Sequence, residues 1–141
     1  MKKETPATLG PDGIATGLAA SFAAHGKKTA LRFFRNGNPE TELTYANLDA
    51  DTNRMANFFS AAGVGKGDRV VLFLPKSVGF LVAHLALIRI GAVSVPVNPG
   101  FKQTEMAYLI EDTRPLLCGT YGPDGRCGNR HARPVFAPTG A

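Results

Sequence analysis

The sequence predicts an α/β fold with a partial, mostly parallel sheet and flanking helices. Residues 69–74 (RVVLFL) form a nearly continuous apolar run of strand length, the pattern of a strand covered on both faces. A helical segment and a second apolar strand follow by residue 96, which makes a βαβ unit. A third helical segment then leads into the start of another strand at residues 115–118.

Residues 1–12 are polar, carry Pro6 and Pro11, and read as a loose leader. Ile14, Leu18 and Phe22 recur at steps of four and predict a short helix with those residues on its packed face, ended by Gly26. Residues 29–34 read as a strand, residues 35–39 (RNGNP) as a turn and residues 40–44 as a returning strand. Thr44 stands where a helix N-cap belongs. The helix predicted over residues 45–62 carries Leu48, Thr52, Met55, Phe59 and Ala62 on one side, with Asn47, Asp49, Asn53 and Asn57 on another. Gly63 closes it.

Residues 63–68 (GVGKGD) read as a loop before the first buried strand. Pro75 ends that strand, and Ser77 caps a helix running to about residue 90, with Phe80, Leu81, His84, Leu85, Leu87 and Ile88 as a broad apolar face. Gly91 ends this helix and residues 92–96 form the next strand, joined by a right-handed crossover. A helix over residues 102–111 turns Met106, Leu109 and Ile110 inward, with Thr104 and Glu105 in its first turn. From residue 119 the chain changes character: five glycines, three prolines, three arginines and one acid, with no periodicity. The expected organisation is a leader at 1–12, a folded unit at 13–117 and an irregular, disordered tail at 118–141.

Composition bounds the function. The 141 residues are 44% hydrophobic and 19% charged, as in an ordinary globular domain. No apolar run approaches the ~18 residues of a membrane helix. Lysine and arginine number 16 against 11 acids, a net +5, but the cations are scattered among acids rather than gathered into a nucleic-acid stripe. Nucleic acid is therefore not an expected partner. Two cysteines do not make a disulfide scaffold. Glu4, Pro6, Pro11 and Asp12 break any signal-peptide pattern, so the expected location is cytoplasmic.

Each candidate for chemistry has a plainer structural reading. The link from strand to helix at residues 74–79 (LPKSVG) offers an anion site from backbone N–H groups and Lys76, or Ser77 serves only as a cap. The 63–68 loop resembles a phosphate loop in its glycines, but it precedes a strand rather than a helix and reads as a tight turn. Asn98 and Pro99 shape the exit from the second strand. His84 reads as a buried structural histidine, and His25 as a cation at a helix end. Cys118, Cys127 and His131 fit no usual zinc spacing. Asp49 and Asp51 point in different directions on their helix and form no acid–base pair. No catalytic, cofactor-binding or metal-binding residue is assigned.

The segment 44–115 resembles the N-terminal part of AMP-forming acyl-CoA synthetases, in the adenylate-forming superfamily. The matching pieces stand in order: LTYANL at 43–48, NRMA at 53–56, Gly63 with Val64, GDRV at 67–70, Gly91 with Ala92, PVNP at 96–99, and Glu105, Tyr108, Ile110 and residues 112–115. The stretch 98–112 also resembles malonyl-CoA synthetases, while malonate-like, aromatic and fatty acids all stay open as substrates. The resemblance implies a parent reaction in which ATP activates a carboxylic acid to an acyl-adenylate and coenzyme A takes the acyl group, with Mg2+ assisting. The family's Ser/Thr/Gly-rich phosphate loop, Thr-Glu pair, ribose-binding Asp and C-terminal Lys have no match in these 141 residues. The resemblance thus implies a truncated N-terminal subdomain at 13–117 that retains no cofactor and is inactive alone. An out-of-frame continuation would produce the Gly-, Pro- and Arg-rich tail; the alternative is a small α/β binding or interaction module, and an unfinished sheet edge offers a route to self-association.

Overall fold

Strand β3 (Arg69–Phe73) organises the molecule, because Val70, Val71 and Leu72 are all buried. In the computed structural model, which describes residues 13–120 and 133–134, it pairs in parallel with β4 (Val93–Pro96) on one side and β5 (Leu117–Thr120) on the other. The order is β4-β3-β5-β6, where β6 is Arg133–Pro134, parallel to β5. The chain therefore leaves from the middle of the sheet, goes out to one edge and returns across to the far side. Two right-handed crossovers in opposite directions place their helices on opposite faces.

That is the arrangement found. Helices α2 (Tyr45–Ala61) and α3 (Val78–Arg89) cover one face, where Ala56, Phe59, Ala83, Ala86 and Leu87 pack on Val70, Leu72 and Leu117. Helix α4 (Gln103–Thr113) covers the other, where Met106 and Ile110 pack with Val71, Val97 and Cys118. Alternate residues of β3 thus feed two different cores, as the period of two in a strand requires. Helix α1 (Gly13–Ala24) forms an outer layer, with Phe22 against Leu48 and Val82. Arg89 ties these helices together: it donates to Asp49 at 2.6 Å and to Asn53, and its guanidinium lies 5.6 Å from the Phe22 ring centroid.

The hairpin of β1 (Thr29–Arg35) and β2 (Asn38–Thr44) stands apart from the parallel sheet. Its turn is shorter than the 35–39 expected. Asn36 and Gly37 both take positive φ, 51° and 80°, so two residues close it and Arg35 pairs with Asn38. Pro39 lies opposite Phe34 beside a register shift; a proline there has no N–H to give to the ladder. Ion pairs cross the strands: Arg35 Nε to Glu40 at 2.7 Å, and Arg32 Nε to Glu42 at 2.8 Å, with the Thr29 hydroxyl donating to Glu42 at 2.7 Å.

Other expectations shift in informative ways. Thr44 caps α2, accepting from the Asn47 N–H at 3.2 Å. Ile14 does not share the packed face of α1; it is 59% exposed, while Phe22 is buried. On α3 the deepest residues are Val82, Ala83, Ala86 and Leu87, whereas Phe80, His84, Leu85 and Ile88 are half-buried. A helix that is apolar nearly all round does not declare which side packs, and the alanines let it approach the sheet closely. Strand β5 runs to Thr120, past the boundary expected at 117, and the two residues of β6 lie within the segment expected to be irregular. The rest of that segment and the 1–12 leader lie outside the described residues.

Thr52 is buried and its hydroxyl has no hydrogen-bond partner among the described residues. Leu72→Ala should lower unfolding free energy by about 2–5 kcal/mol through the cavity it opens, whereas Thr52→Val should leave stability unchanged or raise it, both read by urea denaturation. Hydrogen bonds from Thr29 and then Arg32 hold the Glu42 carboxyl below the usual carboxylate range, and Arg35 does the same for Glu40. The unfolded chain binds those protons more readily, so hairpin stability is present at neutral pH and fades as pH falls through the folded values. Amide protection factors across residues 29–44, taken against the intrinsic exchange rate at each pH, should fall in that acid range, and Glu42→Gln should flatten the dependence.

Candidate functional site

A concavity lies at the carboxyl ends of β3 and β5. The chain diverges there, toward β4 from one strand and away from it at the other, and open α/β sheets bind ligands in such crevices. Pro75 and Lys76 lead from β3 into α3, and Ser77 caps that helix, its Oγ accepting the Phe80 N–H at 3.1 Å. Ser77 is thus a helix cap, as its plainer reading held. Behind this link is a cavity of about 480 Å³, walled by Phe59 of α2, Phe80 and Ala83 of α3, and Leu72, Leu117 and Gly119 of the sheet. Lys76 and Arg35 border it.

Four of these wall residues were legible in the sequence only as core: Phe59 and Phe80 by helical spacing, and Leu72 and Leu117 by their strand runs. Gly119 gave no signal, because it falls where periodicity stops. Arg35 comes from the hairpin, remote in sequence from everything else at the cavity.

The glycine loop at residues 63–68 has no cradle for phosphate. Five of its N–H groups are committed: Gly63 to Ser60 O, Val64 to Phe59 O, Gly65 to the Asp68 carboxylate at 2.7 Å, Gly67 to Gly91 O and Asp68 to Gly65 O. Gly67 has φ of 85°, so a glycine is what the turn requires. The loop joins α2 to β3 and pins the start of β3 beside β4.

The remaining candidates separate. Asn98 shapes its turn, its side chain accepting from the Gly100 N–H at 2.9 Å and its carbonyl from the Phe101 N–H at 3.0 Å. His84 Nδ1 lies 2.8 Å from Ser94 Oγ and its ring stacks parallel to Phe80, so it ties α3 to β4. His25 lies beyond the end of α1 with its ring centroid 5.9 Å from that of Tyr45. Asp49 serves Arg89 and Asp51 pairs with Arg54. Cys118 is buried in the α4 core, while Cys127 and His131 lie outside the described residues. Among the described residues no three His, Cys, Asp or Glu side chains gather as a metal site.

Comparison with known proteins gives a consistent picture. Residues 18–133 match the family described as AMP-binding enzyme. Crotonobetaine/carnitine–CoA ligase of Citrobacter koseri is 36% identical over 96 residues, covering 68% of this chain and 19% of that protein. The chain thus spans about a fifth of the length of that curated relative. Apo MatB from Rhodopseudomonas palustris is 38% identical with a TM-score of 0.58, over 62% of this chain and 17% of that one. The inhibitor-bound N-terminal domain of FACL13 from Mycobacterium tuberculosis superimposes with a TM-score of 0.70 at 27% identity, over 78% of this chain and 27% of that one.

Ser77→Ala should cost about 0.5–2 kcal/mol by removing the α3 cap. Thermal denaturation followed by circular dichroism measures it, and Ser77→Asp, which restores an acceptor beside the helix N-terminus, should recover most of the loss.

Proposed function

We propose, because this chain belongs to the AMP-binding enzyme family, that it supplies part of the N-terminal subdomain of an AMP-forming acid–thiol ligase. In the whole enzyme a carboxylate oxygen attacks the α-phosphorus of ATP. Pyrophosphate leaves and an acyl-adenylate forms. The coenzyme A thiol then attacks the acyl carbon, releasing AMP and giving the thioester. ATP, Mg2+ and coenzyme A are the reagents of this chemistry. The observation that carries the reading is the family match over residues 18–133, supported by relatives that are CoA ligases. Those relatives favour an enzyme's subdomain over a free-standing binding module.

The 141 residues by themselves do not perform the reaction. Acyl-phosphate transfer needs positioned donors where charge develops on the phosphate oxygens. The glycine loop spends N–H groups on the end of α2, on Gly91 and within its own turn, and Ser77 spends its hydroxyl on a helix cap. What this chain contributes is the βαβ framework on which other residues of such an enzyme are positioned.

Location and association follow the same reading. ATP and coenzyme A are cytoplasmic reagents, and no helix among the described residues is long and apolar enough to cross a membrane. Strand β4 lies at the end of the sheet order with Val93 46% exposed, and is the edge through which copies of the chain would pair.

Two measurements test the reading. The purified chain with MgATP and a panel of short, aromatic and fatty carboxylic acids should release no acid-dependent pyrophosphate; release above background overturns the inactivity. Grafting residues 18–120 in place of the matching segment of the Citrobacter koseri ligase should give a folded, active chimera. A chimera that folds but has lost all ligase activity counts against the subdomain assignment.

A further inference from the structure

We propose that the cavity at the carboxyl ends of β3 and β5 takes the chain's own segment 135–136: β6 continues through Phe136, with Val135 seated over Gly119 on the cavity side and Phe136 on the opposite face beside Thr120. The ligase reading does not depend on this seating and survives its failure.

Strand register delivers the segment. Strand β6 runs parallel to β5, with Leu117 opposite Arg133 and Cys118 opposite Pro134. Residues 135–141 (VFAPTGA) follow, beyond the described residues. One further step of the same register sets position 135 opposite Gly119, at the spacing of paired strands, about 4.8 Å. The next step sets position 136 opposite Thr120, the last residue of β5. Successive residues of a strand face opposite sides of the sheet, and directly paired residues face the same side. Leu117 and Gly119 line the cavity, whereas Cys118 belongs to the core under α4. Position 135 therefore faces the cavity and position 136 the α4 side.

The row of residues across the sheet shows why Val135 has a seat. Leu72 pairs with Gly119, so the row reads Leu72, Gly119 and then position 135. Gly119 contributes no side chain, and a Cβ there would stand 3.5 Å from Leu72 Cδ2 and 3.9 Å from Leu74 Cδ1. Leucine side chains thus reach the near side of that gap, and a branched apolar residue on the far side completes the contact. Beyond it lies a cavity of about 480 Å³ with Phe59, Phe80 and Leu117 in its wall.

The sequence fits the place. Between residues 121 and 141 the large apolar side chains are Tyr121, Val135 and Phe136, so two of the three fall directly after β6. Both are residue types that favour strands, and leaving them in water one step from an apolar hollow forfeits their burial. Pro138 has no N–H for a ladder and stops the strand soon after. A tether of one residue gives the segment a high effective concentration at this cavity, which favours the chain's own residues over those of a second copy.

Nuclear Overhauser contacts in the full 141-residue chain, with methyl groups labelled, test the seating. Val135 methyls should contact those of Leu72 and Leu117, and the Phe136 ring should contact the Thr120 methyl. Val135→Asp should erase the first set and shift the Leu72 and Leu117 methyl resonances; Phe136→Ser should shift the Thr120 methyl and leave Leu72 in place. From the sheet side, Gly119→Val should fill the gap and remove the Val135–Leu72 contact while the circular dichroism melt shows a folded chain. Absence of the Val135 contacts, a Phe136 ring found against Leu72, or contacts that arise only between differently labelled copies in a mixed sample would each overturn the proposal.

Discussion

Burial of β3 on both faces is the constraint from which the rest of the architecture follows. A strand whose Val70, Val71 and Leu72 must all leave water needs a cover above and below. One cover comes from α2 and α3, the other from α4. Because β3 is also the first strand of its sheet in sequence, it occupies the middle, and the chain has to pass on one face going out and on the other coming back. The crevice at the carboxyl end of the strands is a by-product of that path. Its walls are residues whose first role is to cover β3.

The helical layer is held by a second kind of interaction. Arg89 lies at the end of α3, pairs with Asp49 and Asn53 of α2 and stacks over Phe22 of α1. Its side chain is mostly buried, 19% exposed, so the pair is better shielded from solvent than the exposed bridges of the hairpin. The hairpin is held by its two-residue turn, by ion pairs that water and salt weaken, and by Ala30 and Leu43, which pack against Phe22, Leu48 and Val82. Apolar contact thus lies at the centre, a shielded ion pair joins the helices, and exposed ion pairs cross the hairpin.

Much of the framework was legible before any coordinates. Thr44 and Ser77 are both the caps that their positions implied, since a hydroxyl ahead of an apolar-periodic segment has one favourable use. The 63–68 glycine run is the tight turn it was read as, its N–H groups donating to the end of α2, to Gly91 and within the turn itself. The likeness of residues 44–115 to acyl-CoA synthetases agrees with the AMP-binding family match over residues 18–133. The packed face of α3 was read in part: Leu87 is fully buried and Phe80 and Leu85 pack on the core, but the buried alanines were not named. Alanine carries little weight in a hydrophobic pattern, yet Ala83 and Ala86 are among the most deeply buried residues because close approach to the sheet requires small side chains.

What the sequence determined by itself is local and periodic: where strands and helices begin and end, which residues cap them, and that one strand must be buried twice. These depend on neighbours within a few positions along the chain. The tertiary structure decided what depends on distant residues meeting. The partnership of Arg89 with Asp49, across 40 positions, has no periodic signature. Nor has the cavity, which needs α2, α3, β3, β5 and the end of the hairpin to converge. A void is a property of what surrounds it, and no single segment of this chain encodes the space at Gly119.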